Sequence, residues 1–508
     1  MIHFAVAVGF GAILIAGAAV AQALPPAEGK PVTVKIESGP VVGVAEGKAD
    51  VFRNIPYAAP PVGALRWAPP QPVKPWTAPR PAAEPGPSCP QPMNANGTPN
   101  SGGANGPTSE DCLQLNVFAP PHAKGAPVMV WIHGGGHRTG AGWIYGGENF
   151  ARDGVVVVAI NYRLGALGYF AHPAIDKAAK PGDPVGNYGL MDQIAALRWV
   201  KRNIAAFGGN PQNVTVFGES AGGESTLALL ATPSARGLYQ KAIVESGLGW
   251  FAPKTLADKE ADGIRSLERA GIKASTAAEL RALPADALVP VNDNYEPFID
   301  GKLMTETATQ AIARGQVPDV RLIIGSNSGE DSLMGPMTLG EAALARIPAG
   351  LKPAYAAEAA AGPDTFARAV FTDRVMGGPA RWIAAQTSGG KPTWLYYFSY
   401  VGSRFPASKT RASHADEIQY VWDYWGRRTP MSMVSAKDQE VANLMHACWV
   451  AFAKTSVPKC GATDWPAYSP ARDQLMEFGK DSGVRTHFRK TQLDAEEAST
   501  LPALKLSK

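Results

Sequence analysis

Gly218-Glu219-Ser220-Ala221-Gly222 sets a hydroxyl between two glycines, the spacing of a nucleophile carried on a sharp strand-to-helix turn. A strand-like run from Asn213 to Phe217 leads into it, and a helix-forming run from Ala221 to Ala231 leads away. The glycines let the chain pass through a turn too tight for side chains. The helix start behind Ser220 favours developing negative charge. A second signal, His133-Gly134-Gly135-Gly136, follows the apolar run Val128 to Ile132. A glycine run lets backbone N–H groups face a substrate oxygen, and with the Ala221 N–H it would form an oxyanion hole. One such donor is worth about 3 kcal/mol in the transition state. These residue types together predict acyl transfer through a serine. His133 and His137 stand four apart, but that spacing binds metal when both rings share a helix face, and three glycines make a poor helix. No metal site is predicted.

A serine hydroxyl needs a base, and the base needs an acid to orient it. Three histidines lie downstream: His414, His446 and His487. His446 falls in the helical stretch Ala436 to Phe452 beside Cys448, and His487 lies among charged residues near the C-terminus. His414 sits in the polar loop from Ser408 to Glu417, just after the strand-like run Trp394 to Tyr400, and is the preferred base. For the acid, Gly325-Ser326-Asn327-Ser328-Gly329-Glu330-Asp331 follows the run Arg321 to Ile324. Glu330 and Asp331 both qualify on position.

The elements that must hold these groups are legible as a texture. Val128 to Ile132, Val155 to Ile160, Asn213 to Phe217, Lys241 to Glu245, Arg321 to Gly325 and Trp394 to Tyr400 are short, nearly continuous apolar runs. They read as strands buried on both faces, with helical patterns such as Leu190 to Asn203 between them. That alternation predicts an α/β fold with a mostly parallel sheet. Each constellation falls just beyond the carboxyl end of a strand, where such sheets place their chemistry. The Pro-, Gly- and Asn-rich segment 25–107 breaks the texture, and Pro90 to Pro107 reads as a surface loop.

The chain has 508 residues, 45% hydrophobic, with a formal charge of +4. Lys and Arg are scattered, which argues against a nucleic-acid partner and leaves only a slight tolerance for anionic substrates. Phe4 to Val20 is apolar or glycine, and Ala21-Gln22-Ala23 follows as a cleavage site. Residues 1–23 are therefore predicted to be a secretory signal and 24–508 a single domain, secreted or periplasmic, with no stable membrane span in the mature chain. The segment Met1-Ile2-His3 lacks the usual positive charge, so a retained anchor is the rival reading. Four cysteines suit export. Proximity favours Cys89–Cys112 and Cys448–Cys460 among three connectivities.

At this point the chain resembles the type-B carboxylesterase family. The matching segments are Asn54-Ile55-Pro56-Tyr57-Ala58, Pro60-Pro61-Val62-Gly63 with Arg66-Trp67, Ser109 to Asn116, Trp131 to Gly136, Asn161 to Gly165, Gly189 to Gln193 and Phe217 to Gly223. The resemblance implies an α/β-hydrolase fold, with helices on both faces of the sheet and helical lid insertions (residues 251–320 and 336–392). It implies Ser220 as nucleophile, His414 as base, and Glu330 as acid, three residues after Asn327. It implies Gly135, Gly136 and Ala221 as oxyanion donors, with no cofactor. Arg66 with Glu110, and Arg163 with Asp192, match buried structural ion pairs, and Cys89–Cys112 matches the family's first disulfide. The loop from Pro90 to Asp111 lacks any aromatic residue, so the cation–π choline site of cholinesterase members is absent. Trp250 and Phe251 are candidate pocket walls, with a core role equally open. Adhesion members of the family lose the serine; here serine, glutamate and histidine are all present. The implied activity is hydrolysis of small to medium apolar esters, with bulky or anionic esters of the mycotoxin or polyester type as the alternative. Two N-x-T sequons, at Asn96 and Asn213, complete the reading.

Overall fold

Seven strands of the sheet centre run parallel, and they are the apolar runs of the sequence plus one more. The computed structural model describes residues 29–504, except 95, 97, 101, 248, 251, 317–318, 336–343 and 427–428. The predicted signal segment, 1–23, and Phe251 lie outside the described residues. Thirteen strands form one sheet: β1 (Lys30–Ile36), β2 (Gly39–Glu46), β3 (Ala49–Pro56), β4 (Arg80–Pro81), β5 (Gln114–Ala119), β6 (Ala126–Ile132), β7 (Val156–Ile160), β8 (Gly209–Glu219), β9 (Lys241–Glu245), β10 (Arg321–Asn327), β11 (Thr393–Phe398), β12 (Gln474–Phe478) and β13 (Gly483–Thr486). Their order is β1-β2-β3-β5-β7-β6-β8-β9-β10-β11-β12-β13, with β4 beside β2. From β7 to β12 the neighbours are parallel. The flanks are antiparallel.

Burial on both faces explains the unbroken apolar runs. On β6, Val128, Val130 and Ile132 enter one core, while Met129 and Trp131 enter the other. The first core is covered by α1 (Tyr188–Asn203) and α2 (Ala221–Ala231), through residues such as Leu190, Ile194, Leu197 and Leu227. On the opposite face lies α3 (Ala436–Thr455), which supplies Met445, Trp449 and Phe452. The antiparallel flank before Ala126 went unread: β1 is mostly exposed and β2 mixes buried and half-buried residues amid Pro and Gly, so neither writes an unbroken apolar run.

The register aligns the strand ends. Ile132 pairs with Gly218, Glu219 and Gly325 both pair with Glu245, and Asn327 pairs with Phe398. The segments that follow β6, β8, β9, β10 and β11 therefore emerge along one edge.

Both disulfides are formed, Cys89–Cys112 and Cys448–Cys460. Arg163 holds Asp192 through two 2.8 Å bonds in the core, and Arg66 holds Glu110 in the same bidentate manner. The stretches between Ser220 and His414 carry the expected helical insertions, among them Leu256–Arg269, Pro363–Thr372 and Gly378–Thr387. Trp250 is buried and packs edge-on against Trp382, 6.5 Å between rings, so its place is in the core. Asn96 lies on an exposed turn, whereas Asn213 lies within β8 and accepts a bond from the Lys241 ammonium. No helix among the described residues is long and apolar enough to cross a membrane.

Candidate active site

Ser220 sits on the turn between β8 and α2 with φ 58° and ψ −124°. A non-glycine residue with positive φ is strained, and surrounding structure must hold it there. Its N–H donates to the Glu245 carbonyl at 2.9 Å, and its own carbonyl accepts from Glu224 N at 2.8 Å, which starts the helix. The flanking glycines are required by contact. A Cβ on Gly218 would stand 2.5 Å from the Gly222 carbonyl oxygen, and one on Gly222 would stand 1.9 Å from that of Ile132. Gly134 is equally tight: a Cβ there would meet Ser220 Cβ at 3.0 Å and the Glu219 carbonyl oxygen at 2.7 Å. The glycine loop after β6 thus lies directly against the serine turn. Gly135 and Gly136 have φ of 102° and 62°, open to glycine at little cost.

His414 Nδ1–H donates to Glu330 Oε2 at 2.6 Å, and its backbone N–H donates to Ser332 Oγ at 2.9 Å. Glu330 Oε1 accepts from Ser246 Oγ at 2.6 Å and from Asn327 N at 2.7 Å. Three donors therefore fix that carboxylate. Of the two acids left open by position, Glu330 faces the histidine. Asp331 turns away to Arg411 at 2.9 Å and to Thr372. The other face of the imidazole meets the serine turn: His414 Nε2 is 3.2 Å from Glu219 Oε1, the residue before Ser220. Asn327 Nδ2 also donates to the Ser413 carbonyl at 2.9 Å, tying the end of β10 to the histidine loop. His446 is buried elsewhere, bonded to the Val421 carbonyl and Asp153, and His487 is exposed beside Asp473.

The spacing of motifs did not reveal the acidic ring around His414. Glu219, Glu245, Glu330 and Glu417 are all buried. Burial pushes the Glu245 carboxyl up to about 8, opposed by the Trp449 Nε1 bond and reinforced by Glu219. Burial pushes Glu417 well above the usual carboxylate range; Glu219, Glu245 and Glu330 add to this, and Asn327 opposes it. With its pKa near 8, Glu245 is mostly protonated at neutral pH. For His414, burial alone would lower the pKa, but Glu219, Glu330 and Glu417 outweigh it and raise it to about 10. Glu219 is the second residue of the serine motif, directly before Ser220, and Glu417 stands three residues after His414. Only their adjacency to known candidates marked them.

His133 and His137 are buried neutral rings, each lowered to about 4 mainly by burial. His133 Nδ1 bonds the Gly134 carbonyl at 2.9 Å, and its ring stacks on Tyr162. His137 Nδ1 bonds the Tyr295 carbonyl and Nε2 meets Ser225 Oγ, each at 3.0 Å. The two rings both pack against Tyr162 but have different hydrogen-bond partners.

A parallel sheet with a serine elbow beyond its central strand, an acid after β10 and a histidine after β11 defines an α/β-hydrolase. The chain belongs to the carboxylesterase family, whose model matches residues 30–347 and 356–496. It is 34% identical over 486 residues to the fumonisin B1 esterase of Sphingopyxis macrogoltabida, covering 88% of this chain and 86% of that one. It is 36% identical over 470 residues to the para-nitrobenzyl esterase of Bacillus subtilis (strain 168), covering 86% and 92%. A solved PNB esterase superposes with a TM-score of 0.80 at 32% identity, covering 91% of this chain and 99% of that one. The protein is a carboxylic-ester hydrolase.

Proposed function

We propose that Ser220 is the nucleophile of a Ser-His-Glu esterase, with His414 as general base and Glu330 orienting it. His414 Nε2 takes the hydroxyl proton as Ser220 Oγ attacks the ester carbonyl. The carbonyl oxygen becomes an oxyanion held by the N–H groups of Gly135, Gly136 and Ala221. His414 then gives its proton to the leaving alcohol, and water attacks the acyl-enzyme by the same route in reverse. The observation that carries this reading is the 2.6 Å His414–Glu330 bond with the opposite ring nitrogen turned to the Ser220 elbow. The substrates are small to medium apolar esters, and residues 24–508 act as one exported domain after cleavage near Ala23. Likeness to the para-nitrobenzyl esterase supports the first part; the two disulfides support the second.

Likeness to a fumonisin B1 esterase favours a second reading, in which the ester is bulky or anionic. Steady-state rates on para-nitrophenyl acyl esters against polycarboxylate esters separate the two. Ser220→Ala is expected to keep its circular dichroism and lose nearly all turnover on both sets. Retained turnover in that variant overturns the nucleophile assignment.

A further inference from the structure

We propose that His137 is a positioning residue for the oxyanion hole, a neutral imidazole that pins the glycine loop to the helix carrying Ser220 and Ala221. This inference rests on the nucleophile and oxyanion roles proposed above. His137 directly follows Gly136 and itself has φ 53°, so a strained residue closes a loop of two left-handed glycines. Strain of this kind persists only where neighbours over-determine it, and here the carbonyl and both ring nitrogens are engaged. Its carbonyl accepts from Gly165 N at 2.7 Å. Its ring is 1% exposed and lies 4.7 Å from the Tyr169 ring.

The proton positions follow from the partners. A carbonyl oxygen only accepts, so Nδ1 carries the hydrogen given to Tyr295 O. Nε2 is then an acceptor, and the Ser225 hydroxyl donates to it. Ser225 Oγ in turn accepts from Gln193 Nε2 at 3.0 Å. With Nδ1 carrying the hydrogen, the chain runs Gln193 → Ser225 → His137 → Tyr295, and the Ala221 carbonyl also faces the ring. Ser225 stands one helical turn beyond Ala221 on α2. The imidazole is thus a strut between the two backbone segments whose N–H groups must converge on one oxygen. The nearest carboxylate, Glu224 Oε2, is 3.9 Å from Nδ1, too far to take the place of the Tyr295 bond.

An oxyanion hole acts on the transition state more than on the bound ester. Loosening it lowers kcat while KM stays nearly constant, and weakens a trifluoromethyl ketone, which forms a tetrahedral adduct, by the same factor. Three variants test this: His137→Phe keeps a ring and loses both bonds; His137→Asn keeps a side-chain donor and tolerates positive φ; Ser225→Ala removes only the hydroxyl. His137→Phe is expected to lose about 100-fold in kcat, a loss of the size of one missing oxyanion donor. Ser225→Ala and His137→Asn are expected between it and the parent, with ketone affinity following kcat/KM across the series. A folded Ser225→Ala with KM raised and kcat unchanged, or ketone affinities that do not follow kcat/KM, overturns the inference. Should His137→Phe fail to fold, the other two variants decide it. Ser220→Ala, assayed alongside, separates this failure from failure of the nucleophile assignment, since only the latter leaves that variant active.

Discussion

Glu219→Gln should move the acid limb of activity to lower pH. The Glu219 carboxylate stands 3.2 Å from His414 Nε2, and at an effective dielectric of about 20 that contact is worth about 5 kcal/mol to an imidazolium. His414 is raised to about 10 by Glu219, Glu330 and Glu417 working against burial. Removing one charge of that size leaves Glu330 in place and lets burial reassert itself. At about 1.4 kcal/mol per pH unit the His414 pKa falls by about three to four units. The sign follows from the role: the base must be neutral to accept the serine proton, so kcat/KM rises with pH through the His414 pKa. Lowering that pKa extends activity to more acidic solution. The assay is kcat/KM for a neutral para-nitrophenyl ester across about pH 5 to 10, where the profile reports the free enzyme. Glutamine keeps the size and a hydrogen-bonding oxygen, so the change isolates the charge. An acid limb that stays in place, or moves upward, would refute the electrostatic account of His414.

Gly134→Ala places a methyl 2.7 Å from the Glu219 carbonyl oxygen and 3.0 Å from Ser220 Cβ. Its kcat should fall about 100-fold, as for the loss of an oxyanion donor, and a parent-like kcat would show that the loop can yield. Asp192→Asn leaves the Arg163 guanidinium, 3% exposed, without its charge partner. Urea unfolding should show a loss of about 3–5 kcal/mol, with kcat of the remaining folded enzyme little changed; a much smaller loss would mean the pair is not structural.

Much of the site was legible because its chemistry sits in short local motifs. The elbow around Ser220 and the glycine loop at Gly134 to Gly136 are each a short run of consecutive residues, and the close approach of the two, Gly222 against Ile132 and Gly134 against Ser220, leaves a visible pattern of glycines. The parallel strands were legible for a similar reason, since burial on both faces writes unbroken apolar runs. Position alone did not separate Glu330 from Asp331, because the choice depends on Ser246 and Arg411, from two other segments. The same holds for Glu245 and Glu417, and for the bond from His137 to Ser225, 88 residues apart. Contacts across such separations follow from the sheet register and leave no periodicity. The antiparallel flank was hidden by composition: β1 is an edge strand with mostly exposed residues, β2 beside it mixes buried and half-buried ones, and Pro and Gly punctuate them.

The most direct test is covalent labelling with a para-nitrophenyl phosphonate, followed by peptide mass spectrometry. One adduct on Ser220 is expected, forming about 100-fold more slowly in His414→Ala, the loss expected when the general base is removed. An adduct on a different residue, or equally fast labelling of Ser220 without the His414 imidazole, would contradict the assignment of the nucleophile and its base.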